Sequence, residues 1–151
     1  MEISTETCAY FAGFFDGEGS VLISKRGKDT YYPQVTLSLS NTDEKPVRLL
    51  HRTFGGHILI IKPRIPHHKV QFTWRVSKRS EILTALTAIF PWLITKKPIA
   101  VAALTIVRNA PGKPCIWKKG MDEQVVREVE AAFLAFGTLR KTNRALHNNY
   151  R

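Results

Sequence analysis

The chain has 151 residues, 44% of them hydrophobic, and carries a formal net charge of +11 at neutral pH. That is enough sequence for one domain with a real core, with no apolar run long enough to span a membrane and, in the polar, acidic start Met1 to Glu6, no signal-peptide character. The charge calls for a polyanionic partner: nucleic acid first, and a membrane surface only second, since no basic amphipathic helix stands out.

In chain order, Ser4 or Thr5 can cap a first helix that runs to about Asp16. Ser20 to Arg26 reads as a strand and Gly27-Lys28-Asp29 as a turn. Tyr32 to Ser40 alternates, with Val35, Leu37 and Leu39 apolar and Gln34, Thr36, Ser38 and Ser40 polar, as in a half-buried strand. Asp43 to Phe54 reads as a helix stopped by Gly55-Gly56, with Pro46 in its first turn. His57 to Lys62 is a strand, and Lys69 to Val76 alternates again: Lys69, Gln71, Thr73 and Arg75 on one face, Val70, Phe72, Trp74 and Val76 on the other. A helix over Lys78 to Phe90 is broken by Pro91-Trp92-Leu93, and Pro98 opens another that reaches Asn109. Ala110 to Lys119 is a loop, Met121 to Phe136 an amphipathic helix, and Thr138 to Arg151 a basic tail. The order αββαββα, then further helices, predicts an α+β fold: two hairpins in one antiparallel sheet, helices over its apolar face, and residues 110–151 as a C-terminal extension of the same domain.

Charge is not evenly spread along the chain. Between Ser24 and Ser80 there are 12 basic and 3 acidic residues, a net +9 of the total +11. The polar faces of two strands fall in that region, so a nucleic-acid-reading surface competes with an ordinary solvated sheet face. Cys8 and Cys115 are the two cysteines. They read as free thiols in a reducing, intracellular compartment rather than as a disulfide, and with scattered histidines they make no zinc site.

The most informative stretch is Phe11-Ala12-Gly13-Phe14-Phe15-Asp16-Gly17-Glu18-Gly19. Ala9, Gly13 and Gly17 recur every fourth residue and share a helix face nearly free of side chains. Two glycines inside a helix cost roughly 1 kcal/mol each relative to alanine, and a close helix–helix approach would justify them. Asp16 and Glu18 then stand at a helix C-terminus, where negative charge is unfavourable unless a cation offsets it. Hard oxygens in that setting suit Mg²⁺ or a similar ion. The plainer alternative is an amphipathic core helix that ends at glycines.

Those nine residues resemble the LAGLIDADG motif of homing endonucleases, and the order of predicted elements resembles that family's fold over the first 110 residues or so. There is one motif: Ala132-Phe133-Leu134-Ala135-Phe136-Gly137 looks superficially similar but lacks the acids. The chain is therefore similar to the single-motif, homodimeric branch. That resemblance implies a divalent-metal-dependent, site-specific DNA endonuclease of intron-homing type, found in an organelle or in a bacterial or archaeal cytoplasm. A maturase acting on its host intron RNA, or a non-cleaving DNA-binding protein, is the alternative on the same fold. A purely structural basic protein leaves Gly13, Gly17 and the acids unexplained.

The resemblance also assigns residues. Two copies would pack through Ala9, Ala12, Gly13 and Gly17 about a two-fold axis, bringing one Glu18 from each to the base of a cleft over the DNA. Glu18 takes the place of the metal-binding Asp, the Gly17 carbonyl is a second ligand for Mg²⁺ or Mn²⁺, and Asp16 caps or supports the helix end, with a further metal ligand as its alternative role. Lys96, in Pro91-Trp92-Leu93-Ile94-Thr95-Lys96, matches the family's active-site lysine. It also precedes a helix N-terminus, where a cation is either solvated or useful to a phosphate. Asn41 is placed at a glutamine that orients the attacking water, and Lys45 at an arginine. Base reading falls to Ser24, Arg26, Lys28, Gln34, Thr36, Ser38, Ser40, Gln71, Thr73 and Arg75, with Arg75 suited to guanine. Arg140 and Lys141 resemble a basic segment that lies on the DNA backbone. A ten-residue strand spans about 33 Å, so a dimer would read on the order of 20 bp of near-palindromic DNA.

Overall fold

The computed structural model describes residues 3–25, 32–63, 65, 67–111 and 117–148, with only the backbone of 142–148. Arg26, Lys28 and Cys115 lie outside the described residues. The elements are α1 (Thr5–Glu18), β1 (Gly19–Ser24), β2 (Gln34–Asn41), α2 (Glu44–Phe54), β3 (His57–Ile61), β4 (Gln71–Val76), α3 (Arg79–Ile89), a 3-10 turn (Phe90–Trp92), α4 (Lys97–Arg108) and α5 (Glu123–Asn148). This is the predicted αββαββα order with two further helices. The four strands form one sheet in the order β1-β2-β4-β3, with β4 antiparallel to both β2 and β3.

Local chemistry sets the boundaries. The Ser4 hydroxyl accepts the Thr7 N–H at 3.3 Å and caps α1. Asn41 Oδ1 accepts the Asp43 N–H at 2.8 Å, and Asp43 Oδ1 accepts the Lys45 N–H at 3.0 Å, so two short polar side chains in succession turn β2 into α2. Gly55 and Gly56 stop α2 with φ of 78° and 80°, a backbone region that favours glycine. Most boundaries shift by one or two residues from the sequence expectation, and two of the differences bear on the site or the fold. α1 continues past Asp16 to Glu18, which puts the second acid in the helix's last turn. α5 runs unbroken through Gly137, joining the expected helix and tail. One glycine costs a long helix only about 1 kcal/mol, less than several turns of continuous hydrogen bonding provide.

The described residues divide into two compact units, residues 1–22 with 36–97 and residues 23–35 with 98–151. In the first, α1, α2 and α3 bury one face of the sheet. Phe11 of α1 meets Phe54 of α2 edge-on at 5.4 Å, and Phe54 meets Trp74 of β4 at 6.5 Å. The Trp74 indole N–H donates to the Gly55 carbonyl at 2.8 Å, so this buried polar group is satisfied. Leu37, Leu39, Val47, Val76, Ile82 and Leu86 complete this core. In the second unit the Tyr32 hydroxyl donates to the Ile106 carbonyl at 2.6 Å and its ring packs edge-on against Trp117. Lys25 lies over the rings of Trp117 and Phe133. Ala100, Ala103 and Ile106 of α4 and Val129 and Phe136 of α5 are buried.

Candidate active site at the end of the first helix

α1 ends against the segment that follows the 3-10 turn. The Asp16 carboxylate is the clamp: Oδ2 accepts the backbone N–H of Ile94 at 2.7 Å and of Thr95 at 3.2 Å, and Oδ1 accepts that of Lys96 at 2.8 Å. Partial burial works against the ionised carboxyl, but the N–H groups of Ile94, Lys96 and Thr95, together with the Lys96 charge, outweigh it and hold Asp16 below the usual carboxylate range. The Lys96 ammonium in turn donates to the main-chain carbonyl of Asp16. Lys96 therefore does not sit against a helix dipole unopposed. Its charge lies at the negative C-terminal end of α1. Burial pushes the Lys96 ammonium below its ordinary value, while Asp16 and Glu18 pull the other way.

Gly19 closes the helix. Its N–H bonds the Phe15 carbonyl, and a Cβ at this position would lie 2.5 Å from that oxygen, so only glycine allows the chain to leave the helix here. With Asp16 committed to the clamp, Glu18 and Gly17 are the exposed residues of the last turn. They offer a carboxylate and a main-chain carbonyl, hard oxygens at a negative helix end, and this donor set suits Mg²⁺ or Mn²⁺. Among the described residues no three His, Cys, Asp or Glu side chains gather into a site.

The exposed face of α1 carries Gly13 and Gly17, with Ala9 half-exposed beside them. A Cβ built on Gly13 or Gly17 meets nothing within 4 Å. Nothing in this chain requires either residue to be glycine. Ala12 does not belong to this face: it is 0% exposed, in the chain's own core beside Phe11 and Phe15. Sequence spacing alone could not separate it, because it adjoins the small-residue stripe.

The sheet's other face carries the expected polar side chains, with two corrections. Cross-strand pairing aligns Ser38 with Arg75 and His57, Ser40 with Thr73 and Leu59, and Gln71 with Ile61. Gln34, Gln71 and Arg75 are exposed, and Thr36, Ser38 and Ser40 are half-exposed. Thr36 shares a hydrogen bond with the Ser77 hydroxyl at 3.2 Å. Thr73 is 6% exposed and its hydroxyl is paired with that of Ser40 at 2.8 Å, because β4 is a central strand; it is a support for Ser40 rather than an open contact. Asn41 pairs with Phe72, on the opposite parity from Ser40, and its amide oxygen is used in the turn into α2. Its oxygen thus serves the turn, and its amide N–H groups are what it offers beyond it. Lys45 is exposed in the first turn of α2 and Ser24 at the end of β1; Arg140 and Lys141 are exposed on α5. Sequence reading missed the role of Gly19 and two apolar residues on the polar face, Leu59 and Ile61.

An exposed carboxylate and a carbonyl stand at a helix end, a lysine is bonded to that same end, and an antiparallel sheet presents a polar face with Arg75 on it. The family model for LAGLIDADG endonucleases matches residues 11–105, and the chain belongs to that family. Over 75 residues it is 31% identical to the intron-encoded RNA maturase bI4 of Saccharomyces cerevisiae, a match that takes in 50% of this chain and only 11% of the yeast protein. The fold is shared with the homing endonuclease I-CvuI in complex with the I-CreI target, at a TM-score of 0.63 and 21% identity over 89% of this chain and 82% of that one. It is also shared with I-SmaMI bound to uncleaved DNA with calcium ions, at a TM-score of 0.62 and 17% identity over 91% of this chain and 46% of that one. An archaeal intron-encoded homing endonuclease, I-Vdi141I complexed with DNA, superposes with a TM-score of 0.56 at 15% identity over 85% of this chain and 98% of that one.

Proposed function

We propose that the chain is one subunit of a homodimeric, divalent-metal-dependent DNA endonuclease that makes a double-strand break at a long, near-palindromic target, in the manner of an intron-encoded homing enzyme. One observation carries the reading: Glu18 is left exposed beside Lys96, on a helix whose glycine face nothing in its own chain fills. A pure binding protein needs neither the free carboxylate nor a desolvated lysine at that point.

In this reading α1 packs on α1 of a second copy, and the two Glu18 carboxylates come together at the axis. Glu18 and the Gly17 carbonyl of each chain would hold Mg²⁺ or Mn²⁺. When bound, the metal lowers the pKa of water and neutralises charge on the phosphate. Lys96, fixed by Asp16, contributes a second positive charge where negative charge develops during attack on phosphorus. Lys45 is assigned to phosphate near the scissile bond. The sheet lies in the major groove, with Gln34, Ser38, Ser40, Gln71 and Arg75 toward base edges, while Arg140 and Lys141 contact phosphate. The longest strand, β2, has 8 residues. It spans about 27 Å, roughly 8 bp of groove, so direct reading covers about 16 bp of a dimer's target rather than 20.

The alternative is a maturase that binds intron RNA, which the similarity to the yeast RNA maturase favours. An organelle or microbial cytoplasm suits either. Among the described residues no helix is long and apolar enough to cross a membrane. The deciding experiment uses supercoiled plasmid carrying the joined exons, or a duplex selected by the protein. The wild type linearises it in Mg²⁺. Glu18→Gln binds it and leaves it intact. Retained cutting by Glu18→Gln rules out the site.

A further inference from the structure

β3 is an edge strand, and edges of soluble sheets are normally blunted with charge. Here it does the opposite. His57, Leu59 and Ile61 share the polar face with Arg75, Thr73 and Gln71 through direct cross-strand pairing. Leu59 is 38% exposed and Ile61 49% exposed, and Ile60, on the strand's opposite face, is 56% exposed, so the edge strand is open on both sides. Two open aliphatic side chains thus stand on the polar face of the sheet, in the same rows as Thr73 and Gln71.

Ordinary solvation does not explain this placement. A phosphate-binding role does not either, because phosphate needs donors. The major groove of DNA, however, presents one apolar group, the thymine 5-methyl, and aliphatic side chains are its natural readers. We infer that Leu59 and Ile61 are specificity residues that read thymine methyl groups in duplex DNA. This rests on the reading of the sheet as a DNA-binding face. It also sharpens that reading toward DNA. Uracil has no methyl group, and the deep, narrow major groove of A-form RNA does not admit side chains. On the same face Gln71 pairs with Ile61 and Arg75 with His57, so donors stand beside and diagonal to the aliphatic side chains. Leu59 and Ile61 are about 7 Å apart along the strand, roughly two base steps, which predicts two required thymines so spaced in each half-site.

The test is selection from a randomised duplex pool by the wild type in Ca²⁺, to limit cutting, followed by resynthesis of the preferred site with deoxyuridine at each thymine in turn. Uracil at the two positions should weaken wild-type binding about fourfold per methyl, the equivalent of one methylene's burial, and about fifteenfold when both half-sites lose one. Leu59→Ala and Ile61→Ala should each bind thymine and uracil duplexes equally at one position while still discriminating at the other. Wild-type binding that is indifferent to uracil at every position overturns the inference and leaves DNA binding standing. Failure to enrich any duplex, or tighter binding of a structured RNA, overturns the sheet's assignment to DNA and the inference with it. If an alanine variant melts early by circular dichroism, the wild-type comparison of thymine with uracil decides alone.

Discussion

Asp16 shows how much one carboxylate can position. It accepts three backbone N–H groups from residues 78 to 80 positions away and thereby fixes Lys96. Its carboxyl is held below the ordinary value of 3.8. Its ionised form therefore stabilises the fold above that value, and the contribution is lost as pH falls below 3.8 through the folded value. Asp16→Ala should lower stability by about 1–2 kcal/mol at neutral pH and flatten the acid limb of the urea-midpoint profile in that window. An unchanged profile would show that the clamp is not formed in solution. Lys96→Ala removes the charge itself. Single-turnover cleavage should slow by roughly a hundredfold or more, with binding little changed, as for loss of one donor to a transition-state oxyanion. The sequence exposed Glu18 and Lys96 through their motif positions. It could not expose the Asp16 clamp, because its partners are main-chain groups without a side-chain signature. The engagement of Asn41 in the turn was hidden for a related reason: the Asp43 hydrogen bond that holds its amide oxygen is local and depends on the residue at which β2 ends.

At the level of the elements, α1 carries two faces with different demands. Phe11, Ala12 and Phe15 are buried in the chain's own core, and periodicity made that half legible. The glycine half was legible only as a cost without a reason. The absence of any atom within 4 Å of a Cβ at Gly13 or Gly17 now makes a sharp prediction. In an isolated chain, Gly13→Ala should stabilise the helix by up to about 1 kcal/mol. If two α1 helices meet there, Gly13→Ala instead weakens association, and Gly13→Leu abolishes it. Sedimentation of both variants checks this; a dimer that tolerates leucine at this position means that the helices meet elsewhere or not at all. The sheet gave its alternating faces to the sequence reading because Val35, Leu37 and Leu39 and then Phe72, Trp74 and Val76 keep strict period two. The order of strands and the burial of Thr73 were not readable, since both depend on which strand lies at the centre.

The whole molecule is a basic α+β protein of the LAGLIDADG endonuclease family, and the proposed activity requires more than one chain. A single copy has one motif and, among its described residues, no complete metal-binding cluster. Two strands of DNA need two cuts. The account therefore places one Glu18 from each chain at the junction of two α1 helices. The most direct test is a heterodimer of wild type with Glu18→Gln, isolated through two different affinity tags and incubated with Mg²⁺ and supercoiled plasmid bearing the selected site. Nicked circle should accumulate without linear product, because one competent site cuts one strand. Linear DNA formed by the heterodimer at the wild-type rate, or a wild-type chain that linearises the plasmid as a monomer, would contradict the account.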